Sequence, residues 1–546
     1  MNTRFRAAVA GVVGGGVAFG LAELVQGLYE LIPSIPIAVS QRIIELMPGG
    51  LATEAIGTLG SAATPILVSV VVLSTLAFCG FLGVLSRSST LLGLGGVALL
   101  AAVALLAVFS EPFVSPVFTV LAVLGALGAG TAVAGFLLDA SGLRGSESPE
   151  PREAGGSGQG RLPEGVRARE AYSSGGIAVD RRSFLLLSGG AAVAGLAATG
   201  AGRLLSGSAG EVASSGATGA GVASGGGSAA SAVETLPAPP PGASIEVPGM
   251  PDLITPSDDF YLIDTAISSP RINRDRWSLN IGGAVDNPIE LSYEDLLSLP
   301  ARESDITLSC VSNEVGGGLI SHGRWTGVLL SDVLAEAGVA RDKLGRASEQ
   351  LIGRSADGWE AGFRTELALD GREALVAFGM NGDELPTKHG YPVRLVVPGL
   401  YGYISATKWL TEIELVDWDY DVYWIKRGWA KEGPVQTQSR IDTVSNDDEL
   451  SAGTVQVGGV AWAPTRGIER VEVSTDDGET WNDARLAEQL DEDAWRQYVY
   501  EWDASPGDYT IKARATDGEG ETQTEEEAEP IPSGATGYHT VNVTVR

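Results

Sequence analysis

Cysteine and histidine are almost absent from this sequence. The 546 residues include 2 cysteines and 3 histidines, which are Cys79, Cys310, His322, His389 and His539. Cys79 lies in a long apolar run and Cys310 in a distant polar region, so no disulfide framework is expected. A zinc site at Cys310 is disfavoured, because neither a second nearby cysteine nor a paired histidine spacing is present. No Cys-x-x-Cys-His haem motif occurs, and residues 1–140 contain no histidine, which excludes a bis-histidine haem there.

Positive charge is also scarce. Lysine and arginine total 37 against 68 aspartates and glutamates, which gives a net charge of −31, and only six of the basic residues are lysine. This balance excludes the basic stripes that a nucleic-acid-binding surface requires. A high acid content with little lysine is typical of halophilic proteins, whose charged surfaces stay hydrated in salt. A merely acidic protein is the alternative.

Long apolar runs fill the N-terminal quarter. A membrane span needs about 20 apolar residues, and four runs qualify, near residues 7–29, 63–85, 91–110 and 115–138. We therefore predict a four-span membrane region over residues 1–140. Arg4 and Arg6 precede the first run and Arg87 separates the second from the third, which places the N-terminus in the cytoplasm.

The next 110 residues are segments that do not build a core. Residues 141–180 are polar and predict a cytoplasmic linker, whereas residues 205–250 are a Gly/Ser/Pro tether. Between them, residues 181–204 predict a twin-arginine-like signal or a fifth span. The residues that fit the twin-arginine pattern are Arg181, Arg182, Phe184 and Leu185. Both alternatives place the following chain outside the cytoplasm, so we expect a multi-pass protein of the cell membrane.

The remaining chain predicts two further domains. Residues 251–430 mix strand-like and helix-like stretches such as "YPVRLVVPG" and "SYEDLLSL", which indicates an α+β domain. After residue 451, short alternating strands are separated by Asp-Gly and Pro-Gly turns, which is typical of an immunoglobulin-like β-sandwich. We therefore assign residues 431–546 to a linker and this sandwich. The fold class is multi-domain, with an α-helical membrane region, an α+β domain and a C-terminal sandwich.

Cys310 has three explanations from its residue type alone. An unpaired cysteine can be an inert buried residue, a nucleophile or a metal ligand. A thiolate suits a metal whose remaining ligands come from an organic cofactor, since such a metal needs only one protein sulfur.

The surroundings of Cys310 carry a family resemblance. The segments "SCVSNEVGGGLISHGRWTGVLLSDVL" (309–334) and "MNGDELPTKHGYPVRLVVPGLYGYISATKWL" (380–410), followed by the sandwich, resemble the sulfite oxidase family of molybdenum enzymes over residues 251–546. The resemblance implies a molybdopterin-binding domain with an immunoglobulin-like dimerisation domain. It also implies a molybdenum–molybdopterin cofactor and two-electron oxygen-atom transfer.

The resemblance implies roles for individual residues. Cys310 would be the thiolate ligand of molybdenum, in a catalytic pocket with Asn313, Trp325 and Phe378. The expected cofactor-binding residues are Tyr261, Asp357, His389, Arg394, Ala406, Thr407 and Lys408. Of these, His389, Arg394 and Lys408 suit an anionic pterin phosphate, because charge-assisted hydrogen bonds to phosphate are strong.

Three departures concern the substrate. The family's "Phe-Tyr-x-Arg-Asn" start reads "FYLID" here, which puts Ile263 or Asp264 in place of an arginine. "Ala-Gly-Asn-Arg-Arg" becomes "VSNEV", so Glu314 and Val315 replace two more arginines, and Phe378 replaces a tyrosine. Without these groups the desolvation of sulfite is poorly offset. We therefore expect a less charged substrate, for example a sulfoxide that is reduced.

Several alternatives and partners follow. Arg324 or Arg364 could supply the missing positive charge. A non-catalytic, membrane-tethered binding or surface protein is the alternative from another class. As an enzyme, the protein requires an external electron carrier, which would be a cytochrome, a copper protein or a quinone-linked subunit. The sandwich implies a homodimer.

Overall fold

The long apolar runs fold as helices in one unit, and the mixed and strand-rich parts fold in another. The computed structural model describes residues 3–29, 32, 34–47, 63–109, 115–140, 186–201 and 233–546. Its two units are Met1–Gly216 and Ala217–Arg546. The predicted linker 141–180, residues Arg181, Arg182, Phe184 and Leu185, and the tether up to residue 232 lie outside the described residues.

The described part of the N-terminal unit consists of helices and short connecting residues. Its helices are α1 Thr3–Leu28, α2 Ile35–Leu46, α3 Ala63–Leu85, α4 Thr90–Phe109, α5 Pro116–Ala140 and α6 Leu186–Ala201. Within the described ranges, α1, α3, α4 and α5 are long and apolar enough to cross a membrane, with mean hydropathy between 1.8 and 2.6. They coincide with the four predicted runs. Helix α2 was not predicted, because its 12 residues are too few for a span and include Arg42 and Glu45.

Small residues let these helices approach closely. A Cβ atom added to Gly14 of α1 would lie 2.5 Å from the carbonyl oxygen of Gly130 in α5. Gly20 of α1 meets Gly195 of α6 in the same way. Backbone contact through glycine is a common basis of helix association in an apolar solvent. α6 covers most of the predicted 181–204 segment, but at 16 residues it is shorter than a typical crossing.

The second unit begins with two sheets and short helices. The helices are α7 Tyr293–Ser298, α8 Leu330–Glu336 and α9 Gly402–Ser405. The strands are β1 Ser278–Gly283, β2 Ile289–Ser292, β3 Ala301–Ser309, β4 Ile320–Leu329, β5 Gln350–Ser355, β6 Glu360–Arg364, β7 Leu375–Met380, β8 Asp383–Glu384, β9 Arg394–Val396 and β10 Leu410–Val416. One sheet has the order β2-β1-β10-β5-β6, and the other has the order β3-β4-β7-β8 with β9 beside β7.

The C-terminal region is rich in β-strands, which form two more sheets. Its strands are β11 Gln438–Ile441, β12 Asp448–Leu450, β13 Gly453–Trp462, β14 Ile468–Ser474, β15 Asn482–Asp483, β16 Arg485–Leu486, β17 Arg496–Ala504, β18 Gly507–Asp517 and β19 His539–Val545. The sheet orders are β11-β13-β17-β16 and β12-β19-β18-β14-β15. Trp462 and Trp495 belong to the same hydrophobic core as Leu395 and Trp409, so this region and the preceding one share a core.

The β3–β4 hairpin holds the loop that contains Cys310. Its pairing runs without interruption from Ala301 opposite Val328 to Ser309 opposite Ile320. Most of β3 is buried, and the Trp325 indole of β4 donates a hydrogen bond to the carbonyl of Ile306 at 3.2 Å. The hairpin therefore presents residues 310–319, which we call the cysteine loop, from a rigid base.

Candidate active site

Cys310 begins the cysteine loop, which is closed by its own hydrogen bonds. The Cys310 amide donates to the carbonyl of Leu319 at 2.9 Å, and the Leu319 amide donates to Oδ1 of Asn313 at 2.7 Å. The Asn313 amide in turn donates to the carbonyl of Cys310 at 3.0 Å. Asn313 is 4% exposed, and its Nδ2 has no hydrogen-bond partner among the described residues. The loop thus leaves a buried neutral donor within three residues of the cysteine.

The Cys310 thiol lies in a buried, electrostatically coupled environment. Burial raises its pKa, an effect that hydrogen bonds from Ser312 oppose. The pKa of Tyr261 is raised by burial and by the nearby Cys310, whereas Arg394 lowers it. Burial and Cys310 likewise raise the pKa of Tyr401 to about 12. The structure therefore brings Cys310, Tyr261 and Arg394 together, although the three are far apart in the sequence.

Arg394 is a buried cation without a carboxylate in ion-pair distance among the described residues. Its side chain, in a residue that is 3% exposed, donates to the carbonyls of His389 at 3.1 Å and Leu395 at 3.3 Å. The guanidinium lies 5.0 Å from the ring centroid of Trp325. Burial lowers the pKa of Arg394 to about 10. A buried charge is costly unless it is paired, so this site is suited to an anionic ligand.

His389 offers a buried acceptor beside this cation. Its Nε2 lies 2.8 Å from the carbonyl of Ser257, so Nε2 carries the proton and Nδ1 has the lone pair. Nδ1 is buried and has no partner in the described part of the chain. Burial lowers the pKa of His389 to about 4, which keeps the ring neutral at physiological pH. His389 therefore has one hydrogen-bonding position left for a ligand.

Lys408 is already engaged. Its Nζ donates to Asp264 Oδ1 at 2.7 Å, to the carbonyl of Ile263 at 3.3 Å and to the carbonyl of Lys388 at 3.2 Å. The ion-paired side chains are only 12% and 15% exposed. Burial raises the pKa of Asp264 and lowers that of Lys408 to about 8. Lys408 can bind an anionic ligand only by sharing its charge with Asp264.

The other expected cofactor-binding residues differ in position. Asp357 interacts electrostatically with Asp264 and Lys408, so it lies near this cluster. Thr407 is fully buried, and its hydroxyl donates to the carbonyl of Gly353 at 3.4 Å. Ala406 ends the α9 turn through its amide, which donates to the carbonyl of Gly402. The side chain of Thr407 therefore faces the interior of the fold.

Trp325 and Phe378 are both buried. Trp325 is 0% exposed and lies under Arg394, where it walls the cluster. Phe378 is 3% exposed in β7 and belongs to the same hydrophobic core as Val311 and Tyr401. Neither side chain adds a charge to the site.

Arg324 and Arg364, which could have supplied the missing positive charge, are both paired with carboxylates. Arg324 makes a bidentate pair with Asp305, at 2.9 and 2.8 Å, and also donates to the carbonyl of Pro237. Arg364 donates to Glu432 at 2.8 Å and stacks 4.1 Å from the Trp418 ring centroid. These contacts occupy both guanidinium groups.

Two residues of the C-terminal region reach the cysteine loop and were missed by the sequence analysis. The Arg440 Nη1 donates to the carbonyl of Gly317 at 2.9 Å, and the His539 ring lies against Gly316. Both are more than 120 residues beyond the loop, so no local spacing pattern indicated them.

The residues present fit a molybdopterin cofactor. Tyr261 interacts with a buried thiol and with a buried cation that has no carboxylate in ion-pair distance among the described residues, and an imidazole with an unpartnered nitrogen adjoins that cation. These groups match a metal, a phosphate and a polar ring system. The cluster contains no group of three or more metal-ligating side chains in the described residues.

Comparisons with known proteins agree with this geometry. Residues 266–424 match the oxidoreductase molybdopterin binding domain, and residues 432–545 match the Mo-co oxidoreductase dimerisation domain. The chain is 31% identical over 288 residues to mitochondrial sulfite oxidase of Rattus norvegicus, which covers 45% of this chain and 52% of that protein. It is 27% identical over 318 residues to sulfite oxidase of Arabidopsis thaliana, which covers 50% of this chain and 79% of that protein.

A solved structure is more distant. The crystal structure of the sulfane dehydrogenase SoxCD from Paracoccus pantotrophus aligns at 24% identity and a TM-score of 0.47, over 57% of this chain and 88% of that chain. This similarity is too distant to support an inference about function. The chain spans about half the length of the mammalian relatives it matches, whereas the two matched domains together span half of this chain. The chain contains an oxidoreductase molybdopterin binding domain, which implies a molybdenum cofactor, and belongs to the sulfite oxidase family of molybdopterin enzymes.

Proposed function

We propose that this chain is a membrane-anchored, extracytoplasmic oxidoreductase that performs two-electron oxygen-atom transfer. The observation that carries the proposal is that Tyr261 interacts electrostatically with both the buried Cys310 thiol and the buried Arg394 guanidinium, which has no carboxylate in ion-pair distance within the described residues. An inert core cysteine would not require such a neighbour, whereas a metal cofactor with a phosphate uses both groups.

The residues of the cluster have separable roles in this proposal. The bound molybdenum–molybdopterin supplies the oxygen-atom transfer chemistry. Cys310 provides the protein sulfur for the metal, and Arg394 holds the phosphate charge. His389 accepts one hydrogen bond at Nδ1, since its Nε2 is fixed by Ser257. Trp325 excludes water beneath Arg394, which strengthens the electrostatic attraction to the phosphate.

The substrate is proposed to carry less charge than sulfite. Asp264 pairs with Lys408 and so removes a positive charge from the cluster, while Ile263 is half exposed and apolar. Arg324 and Arg364 are bound to carboxylates, so they do not offset the loss. A dianion would leave water for a site in which Arg394 is committed to the cofactor phosphate and the other three cations are bound to carboxylates, which is unfavourable. A sulfoxide of the methionine sulfoxide type fits these groups better, as a substrate that is reduced.

Metal analysis tests the enzyme proposal against the non-catalytic one. The full chain should contain about one molybdenum when it is purified in detergent from a host that makes molybdopterin. A metal-free chain from that host, with folded protein by circular dichroism, would contradict the enzyme proposal and favour a binding or surface protein.

Two assays separate the directions of reaction. Methyl viologen-linked reduction of methionine sulfoxide and ferricyanide-linked oxidation of sulfite should be measured on the same molybdenum-loaded preparation. We expect sulfoxide reduction with a higher kcat/KM and poor turnover at micromolar sulfite. Rapid oxidation at micromolar sulfite would refute the substrate proposal while leaving the cofactor proposal intact.

The remaining parts of the proposal concern location and partners. Helices α1, α3, α4 and α5 would anchor the protein, and residues 181–204 would act as a twin-arginine-like signal or a further span. The C-terminal strands would form an immunoglobulin-like sandwich that pairs two copies. Electrons would be exchanged with a separate cytochrome, copper protein or quinone-linked subunit. Protease accessibility of residues 233–546 in oriented membrane vesicles tests the location.

A further inference from the structure

Three successive glycines of the cysteine loop meet the C-terminal region differently. Gly316 has a φ of +77°, and a Cβ atom there would overlap Cδ2 and Nε2 of the His539 ring. The carbonyl of Gly317 accepts a hydrogen bond of 2.9 Å from Arg440 Nη1. Gly318 has open space around its Cα and no left-handed φ. The loop therefore requires glycine at position 316 for two independent reasons.

The orientation of the His539 ring is fixed from the opposite side. The Ile441 amide at the end of β11 donates to His539 Nδ1 at 2.9 Å, so the neutral ring carries its proton on Nε2. Burial and the nearby Arg440 lower the pKa of His539 to about 4, so the ring stays neutral at physiological pH. The Cδ2–Nε2 edge is then the part of the ring that faces Gly316.

Arg440 is held in a similar way. Its Nε donates to Asp442 Oδ1 at 2.7 Å, while the carbonyl of Arg440 itself accepts from the hydroxyl of Tyr498. The guanidinium therefore reaches Gly317 from an anchored strand. Two side chains of the C-terminal region thus contact adjacent residues of the loop that begins with Cys310.

We propose that His539 is a positioning residue that sets the path of the cysteine loop through its contact with Gly316. The inference rests on the proposed role of Cys310 as the metal ligand. The loop backbone fixes the buried Nδ2 of Asn313 relative to Cys310, because Asn313 is bonded to both ends of the loop. If the His539 ring is removed, the backbone at Gly316 becomes more mobile, and both the Cys310 thiol and the Asn313 Nδ2 group shift. The active site then depends on contacts from both matched domains.

Three variants of the full chain separate positioning from folding. His539→Asn keeps an acceptor near Nδ1 for the Ile441 amide but removes the Cδ2–Nε2 edge. Gly316→Ala introduces the overlap and an unfavourable φ. Gly318→Ala is the matched control, because its added methyl group meets open space.

The readouts are molybdenum content, the Mo(V) electron paramagnetic resonance spectrum, and kcat and KM for whichever substrate the wild type turns over. We expect His539→Asn and Gly316→Ala to keep molybdenum within about twofold, to shift the spectrum, and to lower kcat about tenfold or more with a smaller change in KM. Gly318→Ala should match the wild type in all three. A wild-type spectrum and kcat in His539→Asn would overturn the proposal.

Hydrogen exchange gives a readout that does not depend on the metal. The amides of Asn313, Gly317 and Leu319 should exchange faster in His539→Asn than in the wild type. In Gly318→Ala their exchange rates should equal those of the wild type. If the whole of residues 233–546 exchanges faster in His539→Asn, the contact is a general structural one and the positioning role is wrong. If the wild type contains no molybdenum but exchange is still faster in His539→Asn at these amides alone, the proposed function is refuted and the loop contact is retained.

Discussion

Arg394 provides the sharpest test of the cofactor site, because the folded protein holds its charge at a cost. Burial lowers the pKa of this guanidinium to about 10, which corresponds to about 3 kcal/mol of folding free energy. Arg394→Met removes that cost. It also removes a contact with the Trp325 ring, about 1–2 kcal/mol, and two hydrogen bonds to carbonyls, about 1 kcal/mol each. These effects nearly cancel, so the free energy of unfolding of the cofactor-free Arg394→Met variant should lie within about 1 kcal/mol of the wild-type value.

Lys408→Met is the matched control, because it removes a cation that has a carboxylate partner. The Asp264 side chain is 15% exposed and loses its ion pair at 2.7 Å. Breaking a buried pair on one side costs about 3–5 kcal/mol. The lower end applies here, since some water reaches both groups. Lys408→Met should therefore destabilise the cofactor-free protein by about 3 kcal/mol, unlike Arg394→Met.

The assay uses the full chain from a host that cannot make molybdopterin. All 11 tryptophans lie at or beyond Trp277, so their fluorescence during urea unfolding reports on the second unit alone. The same variants from a competent host are then analysed for molybdenum, and Arg394→Met should retain at least tenfold less than the wild type. If Arg394→Met loses as much stability without cofactor as Lys408→Met, Arg394 is a structural group, and the reasoning about an uncompensated cation is refuted.

Four further predictions concern other residues. Burial raises the pKa of Asp493 to about 7, so folding stability falls as pH rises from about 4 to 7; Asp493→Asn should remove this slope and stabilise the protein at pH 7.5 by up to about 4 kcal/mol in urea unfolding. Asp517→Asn should destabilise the protein at pH 7.5 in the same unfolding assay. At Asp517, hydrogen bonds from Thr437 and Arg466 outweigh burial and lower the pKa of the carboxyl. Cys310→Ser should fold normally but lose turnover, and full activity would exclude its role as metal ligand. Arg324→Met should lower the free energy of unfolding by about 3–5 kcal/mol, because it leaves the 3% exposed carboxylate of Asp305 without its partner. A decrease below about 1 kcal/mol would contradict this prediction.

The motif that contains His389 and Arg394 shows what a short spacing in the sequence can predict. "HGYPVR" keeps His389 and Arg394 five residues apart, and the fold places them in direct hydrogen-bond contact. Thr407 shows the limit of that reasoning, because its side chain points to Gly353 within the fold. Side-chain direction in an irregular segment depends on tertiary packing, for which a linear motif contains no periodic signal.

Long-range partners were beyond the sequence for a related reason. Gly316 could be placed near Cys310 by the β3–β4 hairpin, but His539 lies 223 residues after Gly316 and meets it through a different sheet. Nothing in "GYHTVNV" distinguishes a histidine at a strand start from one that fixes a distant loop. Such a contact follows from how two sheets pack, which depends on many side chains at once.

The pairing of arginines decides how the site is interpreted. Counting residue types leaves Arg324 and Arg364 available as anion-binding groups, since a sequence gives their charge but not their partners. In the fold, each is held by a carboxylate, and Arg394 is the buried guanidinium that has none in ion-pair distance within the described residues. A cation that serves the cofactor phosphate cannot also neutralise a substrate dianion. Under the proposed function, the charge left for the substrate is lower than the composition of the segment indicates, so the proposal expects recognition through neutral donors such as Asn313 Nδ2.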